Sequence, residues 1–221
     1  MADRSRHRRR DPGHLGVVAA QSDRGRGRRG LPALRGGGLI ASFIMVSLDG
    51  YFEGDKPWDI DWHQVDDEFN EFAIKQLDEF DCLVFGRSTY EGMAQYWPGE
   101  EAIRTDREVA SRMNRAPKIV LSRTLQKPEP EWNNSTVVKE ASELREKGQN
   151  LLVLGSSVLT TSLMEQGLLD ELRIIINPVL IGSGRSLASS ATRHILLKLL
   201  SRRDFRNGNV LLTYRPHVDA T

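Results

Sequence analysis

Two stretches, Cys82–Tyr90 (CLVFGRSTY) and Leu151–Leu159 (LLVLGSSVL), decide how this chain folds. In each, a short apolar run typical of a strand ends at a glycine, and small or hydroxyl residues then open an amphipathic helix. The glycine lets a ligand approach the backbone, and the first helical turn offers unpaired N–H groups and a positive dipole end. Two such junctions on one sheet can hold a pyrophosphate and a second phosphate of one dinucleotide, and Arg87 at the first junction supports this interpretation.

The composition indicates a globular domain with a basic N-terminal extension. Of the 221 residues, 39% are hydrophobic and 28% are charged, and the formal net charge is +1. Residues 1–38 contain ten arginines and three aspartates but no lysine or glutamate, so the remainder of the chain is acidic, with a charge of −6. We predict a disordered Arg/Gly-rich extension over 1–38, one domain over 39–216 and a short tail over 217–221. An acidic domain is not expected to bind nucleic acid.

The role of residues 1–38 stays open at this point. An RGG-like RNA-binding segment, an export signal, a transit peptide and an extension without a role from an upstream start codon are all compatible with the pattern. The longest apolar stretch, 39–48, is too short to span a membrane. Cys82 is the only cysteine, so no intrachain disulfide forms, and the chain is expected to be cytoplasmic. The five histidines show no metal-ligand spacing, so no metal is expected.

From residue 39 onward, strands alternate with helices. The apolar patterns predict strands at 39–46, 81–86, 118–121, 136–138, 151–154, 171–177 and 210–214. They predict helices at 65–79, 88–96, 105–114, 140–147 and 156–166. The last two strands are joined by a glycine loop and a middle segment around 195–200 rather than by a helix. This order predicts an α/β fold with a mostly parallel mixed sheet and an antiparallel C-terminal pair.

Six segments in this order resemble the dihydrofolate reductase-like superfamily. The resemblance is closest to the RibD C-terminal reductase domain of bacterial riboflavin biosynthesis and its stand-alone relatives. The segments are 47–50 (SLDG), 86–93 (GRSTYEGM), 119–124 (IVLSRT), 154–159 (LGSSVL), 167–172 (GLLDEL) and 178–184 (PVLIGSG). The resemblance implies a three-layer αβα sandwich, an NADPH-dependent reductase and, in many members, a homodimer.

The resemblance also implies a set of cofactor-binding residues at the matching positions. For the phosphates of NADPH the set is Gly86, Arg87, Ser88 and Thr89; for the pyrophosphate, Gly155, Ser156, Ser157 and Val158; for the adenosine 2′-phosphate, Ser122 and Arg123; and for the nicotinamide, Ala41. The residue types agree, because a 2′-phosphate needs cationic or hydroxyl partners and both arginines follow strand ends. Two simpler alternatives remain: Arg87 pairs with an acid on its own helix, and Ser156 is an ordinary N-cap.

The sequence indicates the substrate-binding residues less specifically than the cofactor-binding residues. Hydride transfer to a C=N or C=O carbon needs a proton for the neighbouring atom. Asp49 directly follows the first strand, so it is the first choice as catalytic and substrate-binding residue, with Tyr51 and Phe52 as stacking partners. The alternatives are that Asp49-Gly50 is only a turn and that the two aromatic residues only pack.

The expected activity is NADPH-dependent hydride transfer to a small planar heterocycle or a ribosylaminopyrimidine, as in 5-amino-6-(5-phosphoribosylamino)uracil reductase. Dihydrofolate reductase activity and a non-catalytic NADPH-binding module are the alternatives. The chain lacks the zinc deaminase motifs of the bifunctional riboflavin enzyme, and it has no lysine between Leu39 and Gly50, where the reductase domain usually has one.

Overall fold

The computed structural model describes residues 37–217, so the predictions for residues 1–36 and 218–221 lie outside the described part. The strands are β1 (Ile40–Ser47), β2 (Tyr51–Glu53), β3 (Cys82–Gly86), β4 (Lys118–Leu121), β5 (Ser135–Val138), β6 (Leu151–Leu154), β7 (Glu171–Asn177), β8 (Arg185–Ser186), β9 (Leu196–Asp204) and β10 (Val210–His217). The helices are α1 (Asp67–Glu79), α2 (Arg87–Tyr96), α3 (Glu100–Thr105), α4 (Arg107–Arg115), α5 (Ser142–Glu146) and α6 (Ser157–Glu165).

Eight of the strands form one mixed sheet in the order β5-β4-β3-β6-β1-β7-β10-β9. All neighbours from β5 to β7 are parallel, whereas β10 runs antiparallel to both β7 and β9. The predicted α/β class with an antiparallel C-terminal end is therefore confirmed. Because the parallel strands are joined by crossovers, their carboxyl ends meet at one edge, where ligands bind in open α/β sheets.

Helices cover both faces of the sheet and make three layers. Successive strand residues point to opposite faces, so Val84 packs under α5 and α6 while Phe85 packs under α2 and α4. A third, smaller cluster joins α1 to the outer strands through Phe69, Ile175 and Phe205. No helix within residues 37–217 is long and apolar enough to cross a membrane.

Three elements differ from the sequence prediction. The helix predicted at 105–114 is α4, which begins two residues later because Asp106, with φ −135° and ψ 58°, lies outside the helical region; the short helix α3 before it was not predicted. The middle segment predicted around 195–200 is the nine-residue edge strand β9, and its mostly exposed side chains carry no strand alternation that could be read from the sequence. The residues after the first turn form β2, which pairs with β8 in a separate two-stranded sheet.

Candidate active site

The two glycine junctions are neighbours in space. β3 and β6 pair in parallel with Val84 opposite Val153, so the two strands end side by side. A Cβ atom built on Gly86 would lie 2.8 Å from Oγ of Ser156, and one built on Gly155 would lie 3.2 Å from Cγ2 of Thr89. The absence of side chains at both glycines therefore allows the two turns to approach each other, and the junctions form one site rather than two.

The turn from β6 into α6 has an unusual backbone. Gly155 (φ +62°) and Ser156 (φ +56°) are consecutive left-handed residues, a conformation that costs a non-glycine residue on the order of 1–3 kcal/mol. Oγ of Ser156 accepts a hydrogen bond from the backbone N–H of Leu159 at 3.3 Å, so the N-cap alternative is observed as well. The turn brings the first residues of α6, Ser157 and Val158, to the wall of the cleft.

A cleft with a volume of about 1030 Å³ runs along the carboxyl ends of β1, β3, β4 and β6. This is at the upper end of the range for small-molecule sites, so an extended cofactor and a second small molecule can share it. Most of the predicted site residues line this cleft: Gly86, Arg87, Ser88, Thr89, Ser122, Arg123, Gly155, Ser156, Ser157, Val158 and Phe52. Ala41, Asp49 and Tyr51 are not among its lining residues.

Basic side chains gather where β3, β4 and β5 end. Nε of Arg87 donates to Glu91 at 2.7 Å, as the ion-pair alternative predicted, and this hydrogen bond raises the pKa of the arginine. The pair is exposed, so its contribution to stability is small and Arg87 can exchange Glu91 for a ligand anion. The Arg123 side chain is 84% exposed, with its nearest carboxylate, on Glu140, 3.9 Å away. Lys139, which the sequence analysis did not single out, lines the same end.

Ala41 does not lie where the resemblance placed it. It is the second residue of β1 and fully buried, at the opposite end of the strand from the cleft. The later residues of this strand, Phe43, Ile44 and Met45, line the cleft instead. The physical reason is that only the carboxyl ends of the parallel strands face the site.

Asp49 ties two loops together instead of facing the cleft. Its carboxylate accepts hydrogen bonds from Oγ of Ser47 at 2.6 Å and from the backbone N–H groups of Gly182 at 2.8 Å and Ile181 at 3.3 Å. These bonds, that of Ser47 most of all, lower the pKa of Asp49, so the group stays ionised and is not a proton donor at neutral pH. The geometry assigns Asp49 to positioning the loop before β8. The turn alternative is also observed, since the N–H of Gly50 donates to the carbonyl of Ser47.

The sequence analysis missed an ion pair at the cleft, formed by Glu53 and Arg185. Glu53 is buried, and both of its oxygens accept from Nη2 of Arg185, at 2.6 and 2.9 Å. Oε1 of Glu53 also accepts from the backbone N–H of Trp58 at 3.1 Å. The Trp58 ring packs on α2 at Gly92, where a Cβ atom would lie 2.0 Å from the ring. A glycine inside a helix was the only sequence signal for this contact.

His63 lies in the loop between β2 and α1 and lines the cleft. Burial lowers the pKa of His63 to about 4, so its imidazole is neutral at pH 7. Its Nε2 atom is buried and has no hydrogen-bond partner among residues 37–217. The Trp62 ring stands edge-on to the imidazole, with 4.5 Å between the ring centroids.

The chain is similar to known proteins over most of its described length. A family model described as the RibD C-terminal domain matches residues 39–211. YyaP of Bacillus subtilis, an uncharacterized protein, is 30% identical over 176 residues that cover 77% of this chain and 91% of that protein.

Two solved structures share the fold. The deaminase/5-amino-6-(5-phosphoribosylamino)uracil reductase of Thermotoga maritima has a TM-score of 0.57 and 15% identity, and the match covers 82% of this chain and 57% of that one. The dihydrofolate reductase of Enterococcus faecalis, complexed with NADP(H), has a TM-score of 0.52 and 15% identity, with 81% and 97% covered.

Proposed function

Because the chain belongs to the RibD C-terminal domain family, we propose that it is an NADPH-dependent reductase of a small planar heterocycle. Membership of this family makes the chain a reductase-like protein. The observation that carries the finer proposal is the contact between the two glycine junctions, with basic side chains gathered at the adjoining strand ends. When bound, NADPH would supply the hydride that reduces a C=N or C=O carbon.

The residues present fit a dinucleotide. Gly86 and Gly155 allow the two turns to meet, and a Cβ atom on either residue would push the turns apart. We assign the pyrophosphate to the start of α6, beside this contact, where backbone N–H groups and the helix dipole favour negative charge. The 2′-phosphate is assigned to Ser122 and Arg123, with Arg87 beside them, where its Nη1 atom donates to Oγ1 of Thr124 at 3.4 Å. Ile44 and Met45 replace Ala41 as the residues that border the nicotinamide and exclude water from it.

The selectivity for the 2′-phosphate is tested by the double variant Arg87→Ala/Arg123→Ala. Because only NADPH carries this phosphate, its affinity should fall by roughly tenfold or more for each lost contact, while NADH binding changes little. Calorimetric titration of the full chain with both cofactors measures this difference. Arg202→Ala/Arg206→Ala, two exposed arginines outside the cleft, removes the same charge and serves as the control. Equal weakening of both cofactors would count against the assignment.

We also propose that a second copy of the chain covers the outer end of the sheet. Two leucines of the edge strand β9, Leu197 and Leu199, are exposed on the same face, and a second apolar pocket of about 290 Å³ lies beside them, lined by Leu197, Leu212 and Tyr214 among others. Because an exposed apolar edge invites pairing, a two-fold dimer through this face is expected.

The dimer is tested by Leu197→Arg/Leu199→Arg. Charges on this face should convert the dimer to a monomer, measured as the molar mass by light scattering. Lys198→Glu is the control, because alternation along the strand directs this side chain to the other face. A monomeric wild-type chain would refute the proposal.

A further inference from the structure

The cleft has two ends of different chemistry. One end carries the glycine junctions and the basic residues described above. The other, here named the ring chamber, lies between the loop 54–66 and the helices α1, α2 and α4. The loop reaches from β2 to α1 and touches α2 through Trp58. The chamber wall is formed by large apolar side chains, among them Phe43, Met45, Phe69, Met93, Trp97 and Met113. Aromatic rings and thioethers of this kind stack well on a flat ring.

Basic side chains are distributed unevenly between the two ends. Among the described residues that line the cleft, the lysines and arginines are Arg87, Arg123, Lys139 and Arg185. The first three follow β3, β4 and β5 at the junction end. Of these four described residues, Arg185 alone lies near the ring chamber, and the buried Glu53 carboxylate already binds its Nη2 atom. The described lining of the chamber therefore offers a ligand no lysine or arginine that is free of a carboxylate partner.

The remaining polar groups of the chamber also favour an uncharged ligand. Oδ1 of Asp106 accepts from Nδ2 of Asn70 at 3.0 Å, which leaves a negative charge at the wall. His63 is neutral at pH 7, so it does not compensate that charge. A phosphate monoester carries a charge of about −1.5 to −2 and needs arginine, lysine or several N–H donors. The carboxylates of dihydrofolate have the same requirement.

We propose that the ring chamber binds a flat, uncharged nitrogen heterocycle without a phosphate group, and that Glu53 is the residue that sets this preference. By holding Arg185 in an ion pair, Glu53 withholds that guanidinium from a substrate phosphate. The inference rests on the proposed function and narrows its substrate from ribosylaminopyrimidines in general to unphosphorylated ones and similar rings.

The test uses riboflavin and riboflavin 5′-phosphate, which share one ring system and differ by a single phosphate. Each is titrated into the full chain with saturating NADP⁺, so that the junction end is already occupied, and binding is followed by quenching of tryptophan fluorescence. Riboflavin should bind roughly tenfold more tightly than its phosphate. Equal or tighter binding of the phosphate, or no binding of either ring, overturns the inference. Failure of NADP⁺ itself to bind would instead overturn the proposed function.

Glu53→Gln tests the residue assignment. The amide keeps an acceptor for the N–H of Trp58 but releases Arg185, so affinity for the phosphate should rise about fivefold or more, with riboflavin changed less than about twofold. Glu140→Gln, which removes a carboxylate from the other end of the cleft, should leave the ratio of the two affinities, riboflavin to riboflavin 5′-phosphate, unchanged. If Glu53→Gln also leaves this ratio unchanged, Glu53 does not set the preference.

A second variant keeps the assignment testable if Glu53→Gln does not fold. Arg185→Met should leave the weak binding of the phosphate as it is, because that guanidinium is already bound to Glu53. Weaker binding of the phosphate in Arg185→Met would show that the arginine serves the ligand after all.

Discussion

Gly155→Val is expected to weaken NADPH binding by about a hundredfold or more. A β-branched residue at φ +62° is strained, and its Cβ atom would lie 3.2 Å from the Thr89 side chain, where the two junctions touch. The new side chain would push the two turns apart and so displace the start of α6, to which the pyrophosphate is assigned. The measurement is a calorimetric titration with NADPH, accompanied by thermal unfolding to record the loss of stability.

Gly148→Val is the matched control for the loss of stability that Gly155→Val causes. Gly148 has nearly the same backbone conformation, φ +64°, but a Cβ atom there would meet nothing within 4 Å, and the residue does not line the cleft. Both variants should lose about 1–2 kcal/mol of stability for the left-handed conformation, and Gly155→Val should lose more because of its contact with Thr89. Only Gly155→Val should lose NADPH. If the two variants bind NADPH equally well, the glycine junctions are architecture and not a cofactor site.

Arg173→Ala is expected to lower the free energy of unfolding by about 3 kcal/mol, the largest stability effect anticipated here. The Arg173 side chain is 9% exposed and donates to Glu79 at 2.8 and 3.2 Å and to Glu171 at 3.1 Å. It also lies over the Phe80 ring, 5.0 Å from the centroid. Removing the guanidinium leaves two carboxylates without their shared cation and opens a gap beside α1.

Urea denaturation of the full chain measures this loss, with Arg202→Ala as the control. Arg202 pairs with Asp204 at 3.2 Å, but both side chains are 61% exposed, so the loss should stay below about 1 kcal/mol. If Arg173→Ala lowered the free energy of unfolding by a similarly small amount, the packing of α1 on β7 would not depend on this ion-pair network.

The helices and strands were largely predictable because their signals are local. Apolar runs bounded by glycine, proline and hydroxyl residues predicted β4, β6 and β7 with their observed bounds. β9 was missed because its side chains are mostly exposed and show no period of two. The short helix α3 was missed because six residues are too few to show a helical period.

In the candidate site, too, the predictable residues belong to short contiguous patterns, and the others depend on the tertiary structure. Residues at the glycine junctions were found because glycine followed by a hydroxyl residue at a strand end is a contiguous pattern. Ala41 was misplaced because its distance from the cleft depends on which end of β1 faces the site. Glu53 and Arg185 were missed because they are far apart in sequence and meet only through the pairing of β2 with β8.

The sequence by itself determined the order of the βα units, the position of both glycine junctions and the family, since each is written in short contiguous segments. Only the tertiary structure decided that β3 lies beside β6, that Asp49 holds a loop, and that Glu53 forms an ion pair with Arg185 near the ring chamber. These outcomes depend on strand order and on contacts between distant loops, and the free energy of such contacts is set by the packed molecule and not by any local pattern.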